Sequence, residues 1–134
     1  MKRVCILMLL SLFGCGPRID VSAALKDGRI VFNVPHRGIA GLMGFEVKEG
    51  EKTLWAVSMR YEKGRKIIYG VLPTGGDAPA KQTVPPSSDA VPDLRGKKVT
   101  IKVEYQYDIG FAPCRTRFEN VVEIPSEAPA DKKK

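Results

Sequence analysis

Any covalent or acid–base chemistry in this chain has to start from one histidine, three cysteines and scattered carboxylates. His36 stands between Pro35 and Arg37, and Cys114 follows Pro113 far along the sequence. A thiolate beside an imidazole is a familiar activated nucleophile, but nothing in the spacing of His36 and Cys114 brings them together. Metal binding calls for clustered ligands, and the chain has neither a C-x-x-C pair nor an acidic loop of calcium spacing. The run Gly38-Ile39-Ala40-Gly41-Leu42-Met43-Gly44 is glycine-rich, yet it lacks the lysine and the following helix of a phosphate-binding loop. Glu46, Glu49 and Glu104 fit solvated strand faces and turns. These residues predict no catalytic group, no cofactor and no metal site.

The elements that would position such residues are strands. Ile19, Val21, Ala23 and Leu25 alternate with polar or small neighbours, the period-two pattern of a half-buried strand. Lys26-Asp27-Gly28 is a hairpin turn. Arg29 to Val34 returns with Ile30, Phe32 and Val34 on one face, and Pro35 ends it because proline donates nothing to a ladder. Phe45 to Lys48, Thr53 to Tyr61 and Lys66 to Leu72 are the next three expected strands, separated by charged, glycine-containing turns. Trp55, Val57, Met59 and Tyr61 share one face of the fourth, whose other face is also partly apolar, as suits a central strand.

The segment 73–92 holds five prolines together with Gly75-Gly76 and Ser87-Ser88, and predicts an exposed loop or extended segment. The alternation is clearest from Val99 to Ile109, where Val99, Ile101, Val103, Tyr105, Tyr107 and Ile109 oppose polar residues. That strand needs a core on one side and water on the other. Cys114 to Ile124 follows as the last strand, and Pro125 closes it.

Ahead of these strands, Lys2 and Arg3 precede the apolar run Val4 to Phe13, the charged and apolar parts of a secretory signal. The run falls short of the ~20 apolar residues that span a bilayer as a helix. Leu12-Phe13-Gly14-Cys15 resembles the lipobox of bacterial lipoprotein signal peptides, with Phe13 bulkier than that family usually carries. The resemblance implies that residues 1–14 are removed, that Cys15 carries lipid and tethers the chain through residues 15–18, and that the protein works in the bacterial envelope. Gly16 resembles the residue class that does not retain lipoproteins at the inner membrane, which implies outer-membrane attachment facing the periplasm.

Without residues 1–14 the 134-residue chain keeps 120, enough for one domain with one core. A hydrophobic content of 43% places it in the globular class. Losing Lys2 and Arg3 lowers the net charge from +7 to +5, and Lys132, Lys133 and Lys134 supply three of those charges within the polar tail 126–134. What remains on the body is too little for a nucleic-acid footprint. Once Cys5 is removed and Cys15 acylated, Cys114 has no intramolecular disulfide partner.

Seven short strands without a convincing helix predict an all-β, antiparallel β-sandwich over residues 19–125. Strand number, and Leu94 ahead of the Val99 strand, make it resemble immunoglobulin-like or fibronectin-III-like domains, with Trp55 as the core tryptophan. Two features depart from that pattern: there is no cysteine pair between the sheets, and Val99 stands near the place of the corner tyrosine. The function expected is a binding or assembly module, membrane-held by lipid on Cys15, with an envelope protein as partner. The alternative is an envelope enzyme or small-ligand binder whose site carries no recognisable motif. Ile39, Leu42 and Met43 are the candidate contact residues, because they place apolar side chains outside any expected strand. They either plug the open end of the sandwich or meet a partner.

Overall fold

The computed structural model describes residues 20–35, 40–86, 91–109 and 112–127. Residues 1–19, on which the expected leader, lipid attachment at Cys15 and tether fall, lie outside them, as do His36, Ile39 and the lysine end of the tail.

Eight strands follow one another: β1 (Ser22–Lys26), β2 (Arg29–Asn33), β3 (Gly41–Glu49), β4 (Lys52–Glu62), β5 (Lys66–Ile68), β6 (Lys81–Val84), β7 (Lys98–Ile109) and β8 (Ala112–Glu123). They form an antiparallel sandwich, with β1-β2-β5 in one sheet and β6-β4-β3-β7-β8 in the other. In the lettering of immunoglobulin-type sandwiches, β1, β2 and β5 stand at A, B and E, and β4, β3, β7 and β8 at C′, C, F and G. Trp55 is fully buried but belongs to β4, one strand later than that pattern places its tryptophan.

Alternation decides what is buried. Ile30 and Phe32 of β2, Phe45 and Val47 of β3, Trp55, Val57 and Met59 of β4, and Val99, Ile101, Val103 and Tyr105 of β7 all point between the sheets. Phe32 meets Phe45 across the sandwich at a ring separation of 5.2 Å, and Trp55 meets Tyr69 edge-on at 5.5 Å. Offset and edge-on aromatic pairs of this kind add ~1 kcal/mol beyond their buried area. Leu94 is fully buried ahead of β7.

Four expectations need correction. The strand count is eight, because Lys81–Val84 inside the proline-rich segment pairs with β4 as an edge strand, where a neighbouring proline is tolerated. The expected fifth strand stops at Ile68, and Val71, placed inward by its alternation, is 41% exposed beyond the turn at Gly70. The last strand begins at Ala112 rather than at Cys114, with Pro113 paired to Asp108. Strand β3 begins at Gly41, so Leu42 and Met43 are strand residues rather than loop residues.

That early start of β3 is bound up with a bulge. Leu42 pairs with Glu62 and Gly44 with Ser58, so one residue of β3 faces three of β4. Tyr61 absorbs the excess with φ of 51°, a left-handed conformation that non-glycine residues seldom adopt. Its backbone N–H donates to the Met43 sulfur at 3.4 Å. Gly41 has to be a glycine, since a Cβ there would lie 2.7 Å from the Tyr61 Cα. Bulges strengthen twist and re-aim side chains. Here the residue after the bulge, Glu62, is turned inward and left only 4% exposed.

Candidate functional site

The outward face of the five-stranded sheet is the most developed polar surface of the described residues. Period two sends Glu46 of β3, Ser58 of β4, Lys102, Glu104 and Gln106 of β7, and Arg115 and Arg117 of β8 to this side. Gly44, Ala56 and Ser58 are small and adjacent, and over them opens a shallow cleft of about 300 Å3 rimmed by Met43, Glu46, Thr83, Lys102, Glu104 and Arg117. Gly44 is not sterically required, because a Cβ there would sit at ordinary contact distance, 3.6 Å, from the Glu104 Cβ.

The rim is cross-linked. Arg115 Nη1 lies 3.4 Å from Glu104 Oε1, and Arg117 Nε lies 3.4 Å from Oε2 of the same carboxylate. Arg115 Nε also donates to Gln106 Oε1 at 3.1 Å, and the Gln106 amide donates to the Tyr61 hydroxyl. Gln106 is therefore buried although its alternation points it to water, since both ends of its amide are bonded. The Thr53 hydroxyl of β4 donates to Glu46 Oε1 on β3 at 2.6 Å. Lys102 pairs with Glu119 at 3.0 Å, and hydrogen bonding and charge from Glu119 raise the lysine pKa above its ordinary value. Lys102 is thus held protonated and offers a donor, not a base.

Each arginine uses only part of its five-donor fork on these partners, and their side chains are 61% and 81% exposed. The arrangement suits hydrogen bonding to acceptors on another surface. Rigid strands hold it in place, as a recognition surface requires.

Elsewhere Asp93 is held down to about 2 by hydrogen bonds from the Arg95 side chain and backbone, an exposed pair. Burial, then the charge of Asp93, pushes Tyr69 up to about 12, and its hydroxyl donates to the Pro92 carbonyl at 2.8 Å.

Of the residues singled out from sequence, Met43, Glu46 and Glu104 share the lining of the cleft over Gly44. Cys114 is an exposed thiol opposite Tyr107, and His36 lies outside the described residues. Glu46 serves Thr53, Glu49 pairs with Lys97 at 3.1 Å, and Glu104 is the hub of the arginine network. Among the candidate contact residues, Leu42 is 4% exposed within the core cluster and Met43 is half-buried with its sulfur engaged by Tyr61, while Ile39 is not among the described residues. No group of three or more metal-ligating side chains is assembled among the described residues, and no helix among them is long and apolar enough to cross a membrane.

Arg115, Arg117 and Gln106 did not stand out in the sequence. Their only signal is alternating placement on adjacent strands, and this becomes a cluster once the β7–β8 register sets Glu104 opposite Arg117 and Gln106 opposite Arg115. Comparison with known proteins adds no relative: no protein-family model, no curated protein and no solved structure matches the chain.

Proposed function

We propose that the chain is a membrane-anchored lipoprotein of the bacterial envelope, held by lipid on Cys15 at the outer membrane and facing the periplasm, where it acts as a binding or assembly module for an envelope protein. The observation that carries the binding role is the cross-linked polar face around Glu104: outward donors that converge on one carboxylate and are carried on paired strands. A partner meeting this face finds its hydrogen-bond donors already ordered, which lowers the entropic cost of association. A surface containing acceptors or carboxylates is the complement of Arg115, Arg117 and Lys102.

The anchoring half rests on Lys2 and Arg3, the apolar run after them, and Leu12 to Cys15. It agrees with the fold in one respect. Strand β1 begins at Ser22, seven positions after Cys15, so an extended tether reaches ~25 Å at most. A lipidated Cys15 would keep the sandwich close to the headgroups, and more than one acyl chain makes such anchoring stable.

Two measurements test the proposal. Cys15→Ser should abolish acyl labelling and shift the protein from the membrane to the soluble fraction; unchanged partitioning would end the lipoprotein reading. Arg117→Glu should leave the melting temperature within a degree or two of the parent and remove co-purifying envelope protein from a detergent pull-down. Retention of the same partner would move the contact surface elsewhere.

A further inference from the structure

Glu62 presents a buried carboxylate without a cation. It is 4% exposed, and its Oε1 accepts the Gly64 N–H at 3.0 Å. No donor meets Oε2 and no ion pair meets either oxygen among the described residues, and Oε2 keeps contact with solvent, since no side-chain oxygen among them is both fully buried and unbonded. The backbone has been shaped to reach this group. A Cβ at Gly64 would stand 2.8 Å from Oε1, one at Gly75 would collide with Oε1, and one at Gly76 would stand 3.4 Å from Oε2. The Asp77 N–H donates to the Arg60 carbonyl at 2.8 Å and holds the 75–77 segment in place.

The same carboxylate lines a cleft of about 420 Å3 whose other walls are largely apolar: Ile68, Val71, Leu72 and Pro73, with Thr74 and Gly75 beside them. Val71 and Leu72 are 41% and 43% exposed, which is unusual for large apolar side chains near a charge. Lys66 stands at the rim without pairing to Glu62.

A buried charge is ordinarily paired, because the desolvation cost is otherwise uncompensated. A largely apolar cleft that has a carboxylate with one available oxygen among its lining residues is the complement of an aliphatic stem that ends in a compact cation. We infer that this cleft binds a lysine side chain of a protein partner, with the ammonium on Glu62 Oε2 and the methylene stem against Val71, Leu72 and Pro73. Long cationic side chains bury their stems along apolar surface in this way. Lysine fits better than arginine. A guanidinium binds a carboxylate best through two parallel hydrogen bonds to both oxygens, and Oε1 is already engaged by Gly64 and walled by Gly75. A point-like ammonium needs one oxygen only. The cleft is distinct from the arginine-rich face, and its occupancy does not depend on lipid at Cys15.

The test is a titration of the full chain in detergent micelles, read by the amide resonances of Gly64, Gly75 and Gly76. The probes are the Nα-acetyl amides of lysine, arginine and norleucine. Lysine amide should shift these three resonances saturably and bind at least threefold more tightly than either of the others. Glu62→Gln should weaken lysine binding tenfold or more while the remaining amide spectrum stays in place. Leu72→Ser, at an exposed position, should weaken lysine and norleucine binding alike and keeps the test decisive if Glu62→Gln fails to fold. Equal binding of norleucine, or lysine binding that survives Glu62→Gln, overturns the inference. So does calcium ion alone moving the three resonances and excluding lysine amide, since the site would then belong to a metal.

Discussion

Glu104 and Glu62 lie on neighbouring parts of the same sheet and have opposite fates. Glu104 stands on the open face with its side chain 20% exposed, and two arginines from β8 close on it. Glu62 lies beyond the β3–β4 bulge, 4% exposed as a residue, with one backbone N–H as its hydrogen-bond donor among the described residues and glycines pressed around it. The difference is set by backbone path. Regular pleating places cross-strand side chains about 5 Å apart and lets charges find partners. The left-handed residue Tyr61 breaks the pleat, and Glu62 forms no ion pair among the described residues. A cation for Glu104 is built into the chain, whereas the geometry around Glu62 leaves room for one from outside.

The comparison breaks most readily at the bulge. Leu42 pairs with Glu62 and is buried, so Leu42→Ala should cost ~2–4 kcal/mol in denaturant unfolding. A cost under ~1 kcal/mol would mean that this end of the sheet is loosely packed. The glycines give the next largest effect. Gly75→Ala drives a methyl group into the Glu62 carboxylate and should cost ~1–3 kcal/mol. Gly44→Ala, beside Glu104 with room to spare, should change stability by less than ~0.5 kcal/mol. Equal effects at the two glycines would remove the claim that one carboxylate is enclosed and the other open.

Charge removal sharpens the contrast further. Glu104→Gln should lose less than ~1 kcal/mol, since its arginines are exposed, and the loss should shrink in 1 M salt. Glu62→Gln keeps an acceptor for Gly64 and removes an unpaired buried charge, so stability should hold or rise by ~1 kcal/mol; a loss above ~2 kcal/mol would reveal a cation already in place. The smallest effect concerns a carboxylate acting at a distance. Tyr69 is pushed up to about 12 by burial and by Asp93. Its neutral form is the one favoured in the folded chain, so its contribution to stability is complete below the ordinary phenol value of ~10 and is lost as pH rises through about 12. Absorbance titration should show a late phenolate that Tyr69→Phe removes; a titration curve that Tyr69→Phe changes only near 10 would place Tyr69 in water.

Much of the sandwich could be read directly from residue order. The alternations in Arg29–Val34 and Val99–Tyr105 place the same side chains inward that the structure buries, because a strand's period of two leaves the chain no other way to cover one face. The turns at Asp27-Gly28 and Gly50 were legible from composition, since both carry positive φ that glycine tolerates. Strand β6 was not, because Lys81–Val84 has little pattern of its own and becomes a strand by pairing with β4. The Gly41–Met43 stretch looked like a loop for a related reason. Its glycines advertise permissive backbone, and only the presence of Tyr61 opposite shows that Gly41 exists to let another backbone approach.

The chemistry divides along the same line. Sequence alone determined the fold class, the charge balance, and the leader and Cys15 pattern on which the anchoring proposal rests, because these depend on residue type and local spacing. Tertiary structure decided which charges are paired. The partners of Glu104 come from another strand through a register that no local pattern encodes, and Glu62, which reads as part of an exposed charged turn before Gly64, is buried by a bulge and by a glycine pair more than ten residues further along the chain. Pairing is a property of distance in space, and in a two-sheet sandwich sequence separation alone does not give that distance.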